Sequence, residues 1–173
     1  YRSKSGEFII IYSEGHLSSD YQILRSDDLK GDFKNFTKRQ KNHKYSIAHF
    51  ENKFYILTNL DAPNNRLMET SSLETNQSNW KEIIAHRNEE QILEMEVFSQ
   101  YLVLKERIDG LSVLRVINSD FEDDYYINFD EESFSSWISS NREFDTNILR
   151  YVYTSMTIPY STYDYNMDNK KKV

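Results

Sequence analysis

Histidines and carboxylates are the side chains of this chain that could hold a metal ion, because it contains no cysteine. The four histidines are His16, His43, His49 and His86. No pair has the i, i+4 spacing of a helical metal site, and no acidic residue beside them completes a known ligand pattern. His49 alternates with Ile47 on a predicted strand, which favours a hydrogen-bonded or pocket-lining role. We expect no metal site and no cofactor.

The positions of the glycines do not support a nucleophilic serine in this chain. A nucleophilic serine on a strained strand-to-helix turn is expected in the pattern Gly-x-Ser-x-Gly. The four glycines, Gly6, Gly15, Gly31 and Gly110, flank no serine in that way and form no phosphate-binding loop. We therefore expect no catalytic residue within the chain.

Two other kinds of motif could be mistaken for sites. The acidic clusters at residues 123–124 and 130–132 match the spacing of no calcium loop, so we interpret them as solvated turns. The glycosylation sequons that start at Asn35 and Asn76 arise easily by chance in an asparagine-rich chain.

The elements that would position any site are short strands that recur with a fixed period. An apolar run rich in aromatic and β-branched residues occurs four times, at residues 8–12, 54–58, 101–105 and 150–154. The starts of the runs are 46, 47 and 49 residues apart. Asn, Asp and Pro follow the second run at residues 59–65 and predict a hairpin turn there. Such a period predicts a repeat architecture.

Further strand candidates flank each run. A second strand follows at 21–24, 66–69, 113–116 and 162–165, and a third at 33–36, 80–84, 125–129 and 170–173. A strand precedes the run at 45–50, 93–98 and 134–138, but the first repeat has none. Four short strands in about 45 to 50 residues are typical of a β-propeller blade. The helical pattern of apolar residues is not sustained anywhere, and residues 88–98, which come nearest, fit strand alternation better.

The predicted fold class is therefore all-β. We expect a single partial β-propeller domain at residues 1–173, with about four blades of four-stranded antiparallel sheets. The predicted blades are residues 7–38 (incomplete), 45–84, 91–129 and 134–173. The apolar runs are nearly continuous, as expected of a second strand that is covered on both faces. The chain begins at Tyr1 and ends at Val173 in mid-strand, from which we expect it to be part of a larger protein.

Charge limits the range of partners. The net charge is −7, from 28 acidic and 21 basic residues, which disfavours nucleic-acid binding because phosphate contacts need clustered Lys and Arg. The basic run at residues 38–44 is interpreted as a solvated loop between blades, and a second run occupies residues 170–172. No apolar run is long enough to span a membrane, and these residues contain no signal peptide. Because we expect the native N-terminus to lie outside them, the second observation says nothing about export. The absence of cysteine suits a cytoplasmic location, with the periplasm left open.

Several segments, in order along the chain, match one family. They are residues 54–64, 80–87, 101–107, 110–111, 129–131, 143–146, 149–151, 154–159 and 163–165. In these segments the chain resembles the propeller of the prolyl oligopeptidase family, in its oligopeptidase B (protease II) branch. The resemblance covers residues 45–168 well and residues 1–44 weakly.

The resemblance implies that the chain is the C-terminal part of a seven-bladed propeller that caps an α/β-hydrolase domain. The Ser-Asp-His residues of the family lie in that domain, which would begin after Val173, and no position here matches them. The parent would be a serine peptidase that cleaves short peptides after Arg or Lys, and the propeller would admit substrates by size. The hydrolase domain of the same chain and short peptides are thus the expected partners.

Other interpretations remain open at this stage. A stand-alone interaction propeller without peptidase activity is the main alternative, and a carbohydrate-binding or glycosidase propeller would need sugar-stacking tryptophans beyond Trp80 and Trp137. Arg87 and Arg107 could pair with the hydrolase domain or within the propeller. Because terminal blades of an incomplete ring expose apolar faces, we also expect self-association.

Overall fold

Four antiparallel sheets account for the regular structure, in a computed structural model that describes residues 1–28 and 30–173. The first sheet contains β1 (Phe8–Glu14), β2 (Ser19–Arg25) and β3 (Lys34–Asn35), and the second contains β4 (Tyr45–Phe50), β5 (Lys53–Thr58), β6 (Arg66–Ser71) and β7 (Lys81–Ile84). The third contains β8 (Glu90–Val97), β9 (Tyr101–Ile108), β10 (Leu111–Asn118) and β11 (Asp124–Tyr126). The fourth contains β12 (Phe134–Ile138), β13 (Ile148–Ser155), β14 (Ser161–Asn166) and β15 (Lys171–Lys172).

Each sheet is a meander in which strands that are consecutive in sequence are hydrogen-bonded neighbours. The all-β prediction with four repeated sheets is confirmed, and the helical element among the described residues is one short 3-10 turn, Gln77–Asn79. No helix in residues 1–28 or 30–173 is long and apolar enough to cross a membrane.

The first sheet has three strands, whereas the other three sheets have four, and residues 7–38 were predicted as an incomplete blade. In place of a fourth strand, Arg2 forms an isolated bridge with Ile9, and Ile10 exchanges backbone hydrogen bonds with Tyr1 at 2.8 and 2.9 Å. Residues 1–3 are thus a rudimentary edge strand on β1. An incomplete first repeat agrees with the absence of a strand candidate ahead of residue 8.

The last strands of the sheets are shorter than predicted, and β11 shows the reason. The strand was expected at residues 125–129, but its ladder ends at Tyr126. Ile127 still donates a backbone hydrogen bond to Leu114 at 2.9 Å. Phe129 instead lies 4.7 Å from the Phe134 ring and 4.9 Å from the Tyr153 ring, between centroids. Aromatic packing therefore replaces strand pairing at this position.

In three of the four repeats, the apolar run forms the most buried strand of its sheet, as predicted. In β5, Phe54, Tyr55 and Ile56 are successive residues with at most 1% exposure, so both faces of the strand are covered. Residues 102–104 of β9 and 151–153 of β13 are buried in the same way. The prediction is wrong for β1, where Ile11 and Tyr12 are 48% and 56% exposed. Among the described residues, only residues 1–3 pair with the outer edge of β1. This pairing ends at Ile10, so the edge is free from Ile11 onwards.

Two compact units divide the chain, residues 1–87 and residues 88–173. The first unit has a core made by its two sheets, and its members are Phe8, Ile10, Tyr21, Ile23, Phe36, Tyr45, Ile47, Phe54, Ile56, Met68 and Trp80. The second unit repeats this arrangement, with a core of Phe98, Val103, Leu114, Val116, Ile127, Ile138, Leu149, Tyr151, Tyr153, Tyr165 and Met167. Sheet-on-sheet packing of aromatic and branched side chains therefore stabilises each unit. The organisation as a single domain stays a prediction.

A two-residue turn, Asp109-Gly110, joins β9 to β10. Both residues have positive φ, 50° and 81°, as the tight hairpin turns that match strand twist require. Glycine tolerates this conformation without steric penalty. The turn keeps β9 and β10 in register over their whole length, from Ile108 opposite Leu111 to Tyr101 opposite Asn118.

Two histidines of the first unit are buried, each with 2% exposure. His49 shares a 2.8 Å hydrogen bond with Ser5 through Nδ1, while its ring lies 4.6 Å from that of Phe8 and 4.8 Å from that of Phe54. Its Nε2 has no hydrogen-bond partner among the described residues. Burial, with a smaller contribution from the charge of Arg25, lowers the pKa of His49 to about 4. The folded state therefore holds this imidazole neutral.

This burial predicts acid-sensitive stability. In the unfolded chain His49 would bind a proton below pH ~6.5, whereas the folded chain binds it only near pH 4. The stabilisation is therefore complete above pH 6.5 and is lost as the pH falls towards 4, by on the order of 3 kcal/mol. Denaturant unfolding from pH 8 to 4 measures this loss.

The variant His49→Gln isolates the contribution, because it cannot titrate. The difference in unfolding free energy between the unaltered chain and His49→Gln should be largest above pH 6.5 and shrink at acid pH. His16→Gln, at an exposed position in the turn between β1 and β2, should retain the slope of the unaltered chain. If the free energy of unfolding depends on pH in the same way in the unaltered chain and in His49→Gln, the result would contradict this account.

Candidate functional site

The acidic excess of the chain is confined to its second unit. Residues 1–87 contain 13 basic and 11 acidic side chains, whereas residues 88–173 contain 8 basic and 17 acidic ones. Formal charges of +2 and −9 therefore underlie the total of −7. An unbalanced charge of this size creates a field that attracts cationic ligands over several ångströms. The second unit is thus the part of the chain with the stronger capacity to select ligands by charge.

Strand β8, at one end of the third sheet, has several of these carboxylates. Glu94 is paired in register with Lys105 of β9, and Glu96 is paired with Val103. Burial raises the pKa of Glu94, the charge of Lys105 opposes the rise, and Glu96 adds to it. Because Glu94 and Glu96 are two residues apart on a strand, they point to the same side of the sheet.

Lys105 contacts a pair of aromatic residues, Trp137 in β12 and Tyr160 just before β14. Its Nζ atom lies 5.8 Å from the ring centroid of Trp137 in β12, within the range of a cation–π interaction. The Trp137 ring lies 5.7 Å from that of Tyr160, with 31° between the ring planes. Tyr160 is 71% exposed and leaves one side of the pair open to solvent. We call Trp137 and Tyr160 the aromatic pair.

Lys105 and Arg107 form a pair of cations on one face of β9, because they are two residues apart on the strand. Within the described residues, neither side chain makes a hydrogen bond or an ion pair within 4 Å. Burial lowers the pKa of Lys105, while Glu94 opposes this effect and Arg107 adds to it. Lys53 of the first unit provides a contrast, since its Nζ lies 3.0 Å from Glu69. We call Lys105 and Arg107 the cation pair.

Glu106, between them, points to the opposite face and is fully buried. It accepts a 2.7 Å hydrogen bond from the Tyr126 hydroxyl, and its Oε1 lies 3.8 Å from a guanidinium nitrogen of Arg115. Arg115 also forms an ion pair with Asp124. This buried network ties β9, β10 and β11 together, so it holds the strand that presents the cation pair. A buried carboxylate with charged and hydrogen-bonding partners is a structural anchor rather than an exposed site.

A second polar region lies between β12 and β13. It is a depression of about 740 Å³, and its lining residues are Ser139, Ser140, Asn141, Arg142, Glu143, Thr146, Ile148, Arg150, Thr162 and Asp164. Arg150 and Asp164 form a two-pronged hydrogen bond there, with both distances 2.7 Å. Asn141 accepts a hydrogen bond from the backbone of Arg150 and donates one in return, at 2.7 and 3.0 Å. Arg150, Asp164 and Asn141 are therefore engaged with one another or with the backbone.

Most of the residues that the sequence analysis considered as candidate site residues have structural roles. His43 is buried beside Tyr45 and His49 beside Phe8, while Trp80 belongs to the core of the first unit. Asp124 pairs with Arg115, which makes it a structural partner rather than a calcium ligand.

The remaining residues of this kind lie at or near the surface of their units. His16 and Arg107 are exposed, and His86 and Arg87 are half-buried. In the acidic turn at residues 130–132, Glu131 accepts a hydrogen bond from Thr157. Among residues 1–28 and 30–173, no three potential ligands come close enough to hold a metal ion.

Sequence reasoning missed Lys105, Glu94 and Tyr160 as members of a surface. A usable signal was present in β9, where Lys105, Glu106 and Arg107 follow a continuous apolar run within the same strand. Three consecutive charges in a strand must be divided between its two faces. The contact of Lys105 with Trp137 joins two different sheets and has no signature in the sequence.

Comparison with known proteins supports one family over the whole chain. The sequence pattern of the family described as "Prolyl oligopeptidase, N-terminal beta-propeller domain" matches residues 1–173. The chain is similar to the dipeptidyl aminopeptidase BI of Pseudoxanthomonas mexicana, with 34% identity over 95% of this chain and 23% of the relative. It is also similar to the protease 2 of Moraxella lacunata, with 27% identity over 99% of this chain and 24% of the relative.

A solved structure shows the same relationship. Oligopeptidase B from Trypanosoma brucei, in a closed form with covalently bound antipain, matches 100% of this chain with a TM-score of 0.89 and 25% identity. The chain spans 26% of that structure, and therefore about a quarter of the length of the proteins it resembles. In this family the propeller is the N-terminal domain of a peptidase, and the catalytic domain is separate. This chain belongs to the family of prolyl oligopeptidase N-terminal β-propeller domains.

Proposed function

We propose that this propeller domain controls which peptides reach the catalytic domain of a serine peptidase, and that the peptidase cleaves short peptides after Arg or Lys. The catalytic serine, aspartate and histidine would lie in a hydrolase domain outside these 173 residues. The propeller would take part in substrate selection without touching the reacting atoms. The observation that carries the proposal is the acidic charge of residues 88–173 in a domain of this family.

Charge supports the preference for basic peptides. A formal charge of −9 on one unit attracts a cationic peptide before contact and raises its local concentration. The Debye length is about 10 Å at 0.1 M ionic strength, so added salt weakens this attraction. Carboxylates such as Glu94 and Glu96, which share one face of β8, would contribute to this attraction.

Selection by size follows from the rigidity of packed sheets. Propeller blades surround a central channel, and a channel lined by closely packed strands admits an extended peptide but no folded domain. Strands with both faces buried, such as β5 and β13, cannot separate without exposing apolar side chains to water. The domain would therefore exclude folded proteins sterically, and short peptides would pass.

A second candidate comes from the name of one relative, a dipeptidyl aminopeptidase. On that alternative the peptidase releases dipeptides and requires a free amino terminus, where the ammonium group would be attracted by the same carboxylates. The two candidates make different demands on the substrate. An acetylated amino terminus abolishes cleavage in the second and is tolerated in the first.

Turnover by the peptidase that contains this chain tests the proposal. We expect a short acetylated fluorogenic peptide with Arg at the cleavage position to be hydrolysed at least tenfold faster than the same peptide with citrulline, which has nearly the same shape without the charge. The same Arg-containing sequence placed on the surface of a folded domain should resist cleavage. The 173-residue chain alone should hydrolyse none of these substrates.

Each outcome bears on one part of the proposal. Equal turnover of the Arg and citrulline peptides would contradict the basic preference, and equal cleavage of the folded substrate would contradict selection by size. Cleavage limited to peptides with a free amino terminus would favour the dipeptidyl alternative. Absence of turnover by the longer protein would favour an interaction propeller.

We also propose that the isolated chain self-associates through the free edge of β1. Tyr1, Ile11, Tyr12 and Leu17 expose 58%, 48%, 56% and 50% of their surfaces in this region of the first unit. A strand edge with unpaired backbone groups and neighbouring apolar side chains favours pairing with another copy.

Light scattering across a concentration series measures this association. We expect a dimer or a larger oligomer, which Ile11→Lys combined with Tyr12→Lys converts to a monomer. Leu73→Lys, at a site that is 86% exposed in the segment between β6 and β7, should leave the association unchanged. A monodisperse monomer at high concentration would contradict the proposal.

A further inference from the structure

The cation pair, Lys105 and Arg107, places two like charges on one face of β9 in an acidic unit. Residues 88–173 contain 17 acidic side chains, yet neither member of the pair has a carboxylate within 4 Å among the described residues. Two other cations of the unit have carboxylate partners, Arg115 with Asp124 and Arg150 with Asp164. A pair of like charges left together in an acidic surface retains the capacity to bind an anion.

We propose that Lys105 and Arg107 bind the terminal carboxylate of a peptide, with the aromatic pair Trp137 and Tyr160 beside its last side chain. This inference rests on the proposed function, since it assigns a subsite to the same class of substrate. The subsite would also set the orientation of the bound peptide. The acidic surface would attract its basic part, and the cation pair would bind its carboxyl end.

The chemistry of the two cations suits a carboxylate. A guanidinium group offers parallel N–H donors that match the two oxygens of a carboxylate, and an ammonium group adds a point charge. Arg107 is exposed, so its donors are accessible. Burial lowers the pKa of the Lys105 ammonium, which means that the group is partly desolvated. An anion placed beside it would compensate for the hydration that it has lost.

The strand ladders fix the backbone positions of the cation pair, and Trp137 contacts the Lys105 side chain. Lys105 is fixed on one side by Trp137 at 5.8 Å, and Arg107 is opposite Gln91 and Ser112 in the strand ladders. The backbone carbonyl of Ser112 accepts a 2.6 Å hydrogen bond from the Ser136 hydroxyl of β12, next to Trp137. The cation pair and the aromatic pair are therefore connected through directly bonded strands of one unit. The contact with Trp137 restricts the Lys105 side chain, which lowers the conformational entropy that this residue loses on binding.

The aromatic pair suits an apolar terminal residue. The rings of Trp137 and Tyr160 present a flat apolar area, and the exposure of Tyr160 makes it accessible. Glu94 sets a limit on the ligand, because its carboxylate lies on the neighbouring strand opposite Lys105. Its charge also acts on a carboxylate beside Lys105, so the exposed Arg107, opposite Gln91, is the main contact of the terminal carboxylate, and a neutral apolar last residue is preferred.

Direct binding tests this subsite without any turnover. The probes are acetyl-Ala-Ala-Ala-Leu with a free carboxylate and the same peptide as its amide, titrated at low ionic strength into the 173-residue chain by calorimetry. We expect the free acid to bind about tenfold more tightly than the amide, as one charge-assisted contact allows. The double variant Lys105→Met, Arg107→Gln should bind both peptides equally.

A matched control separates a local site from the general field. The double variant Arg142→Gln, Lys172→Met removes the same number of charges at exposed positions of the same unit, and it should retain the preference for the free acid. Equal affinity for the acid and the amide in the unaltered chain, or no binding of either, would overturn the proposal. Equal loss of preference in the control would also overturn it, because the effect would then come from net charge.

The outcome is independent of the test of the proposed function. Binding of the carboxylate requires no cleavage, and a preference for Arg in turnover requires no carboxylate subsite. Failure of the binding test therefore leaves substrate selection by charge and size intact, and failure of the turnover test leaves the binding result standing as a property of the surface.

Discussion

Burial of one strand on both of its faces, in three of the four sheets, is the constraint on which this structure depends. Phe54 and Ile56 of β5 pack into the core of the first unit, while Tyr55 between them is buried on the other side of the same sheet. A strand in this position must be apolar throughout, which explains the continuous runs in the sequence. Fully burying a large apolar side chain contributes roughly 1.5 to 3 kcal/mol, so each sheet depends strongly on neighbours that cover it.

The same constraint places charge where it can act. Since the middle of β9 is occupied by buried apolar residues, its charged residues are confined to the end of the strand near the turn at Asp109 and Gly110. There the alternation of the strand sends Glu106 inward, to Tyr126 and Arg115, and leaves Lys105 and Arg107 on the opposite face. The buried carboxylate anchors the strand, and the two cations remain available to a ligand.

Much of the fold could be predicted because repeated burial leaves a repeated pattern. The apolar runs and the turn residues between them were sufficient to locate all four of these strands. The predicted burial on both faces was correct for β5, β9 and β13. The ends of the sheets were harder, because apolar residues such as Phe129 serve the core without joining a ladder. The exposure of Tyr12 was missed because a local pattern cannot reveal whether a neighbouring strand is present to cover it.

The candidate site could be predicted only in part. Net charge is a property of the sequence, and its division between residues 1–87 and 88–173 can be counted once the boundary is known. The contact between Lys105 and Trp137 depends on how two sheets approach each other, and strand alternation within either sheet does not encode it. Unpaired cations are equally invisible in sequence, because pairing is decided by the distances between side chains.

Hydrogen exchange of backbone amides tests the central claim most directly, since it measures how firmly each strand is held. The account predicts the slowest exchange in residues 54–57, 102–104 and 151–153, the segments buried on both faces, with much faster exchange in β3 and β15. Equal exchange rates in these two groups, or greater protection in the short outer strands, would contradict the claim that double-faced burial holds the sheets together.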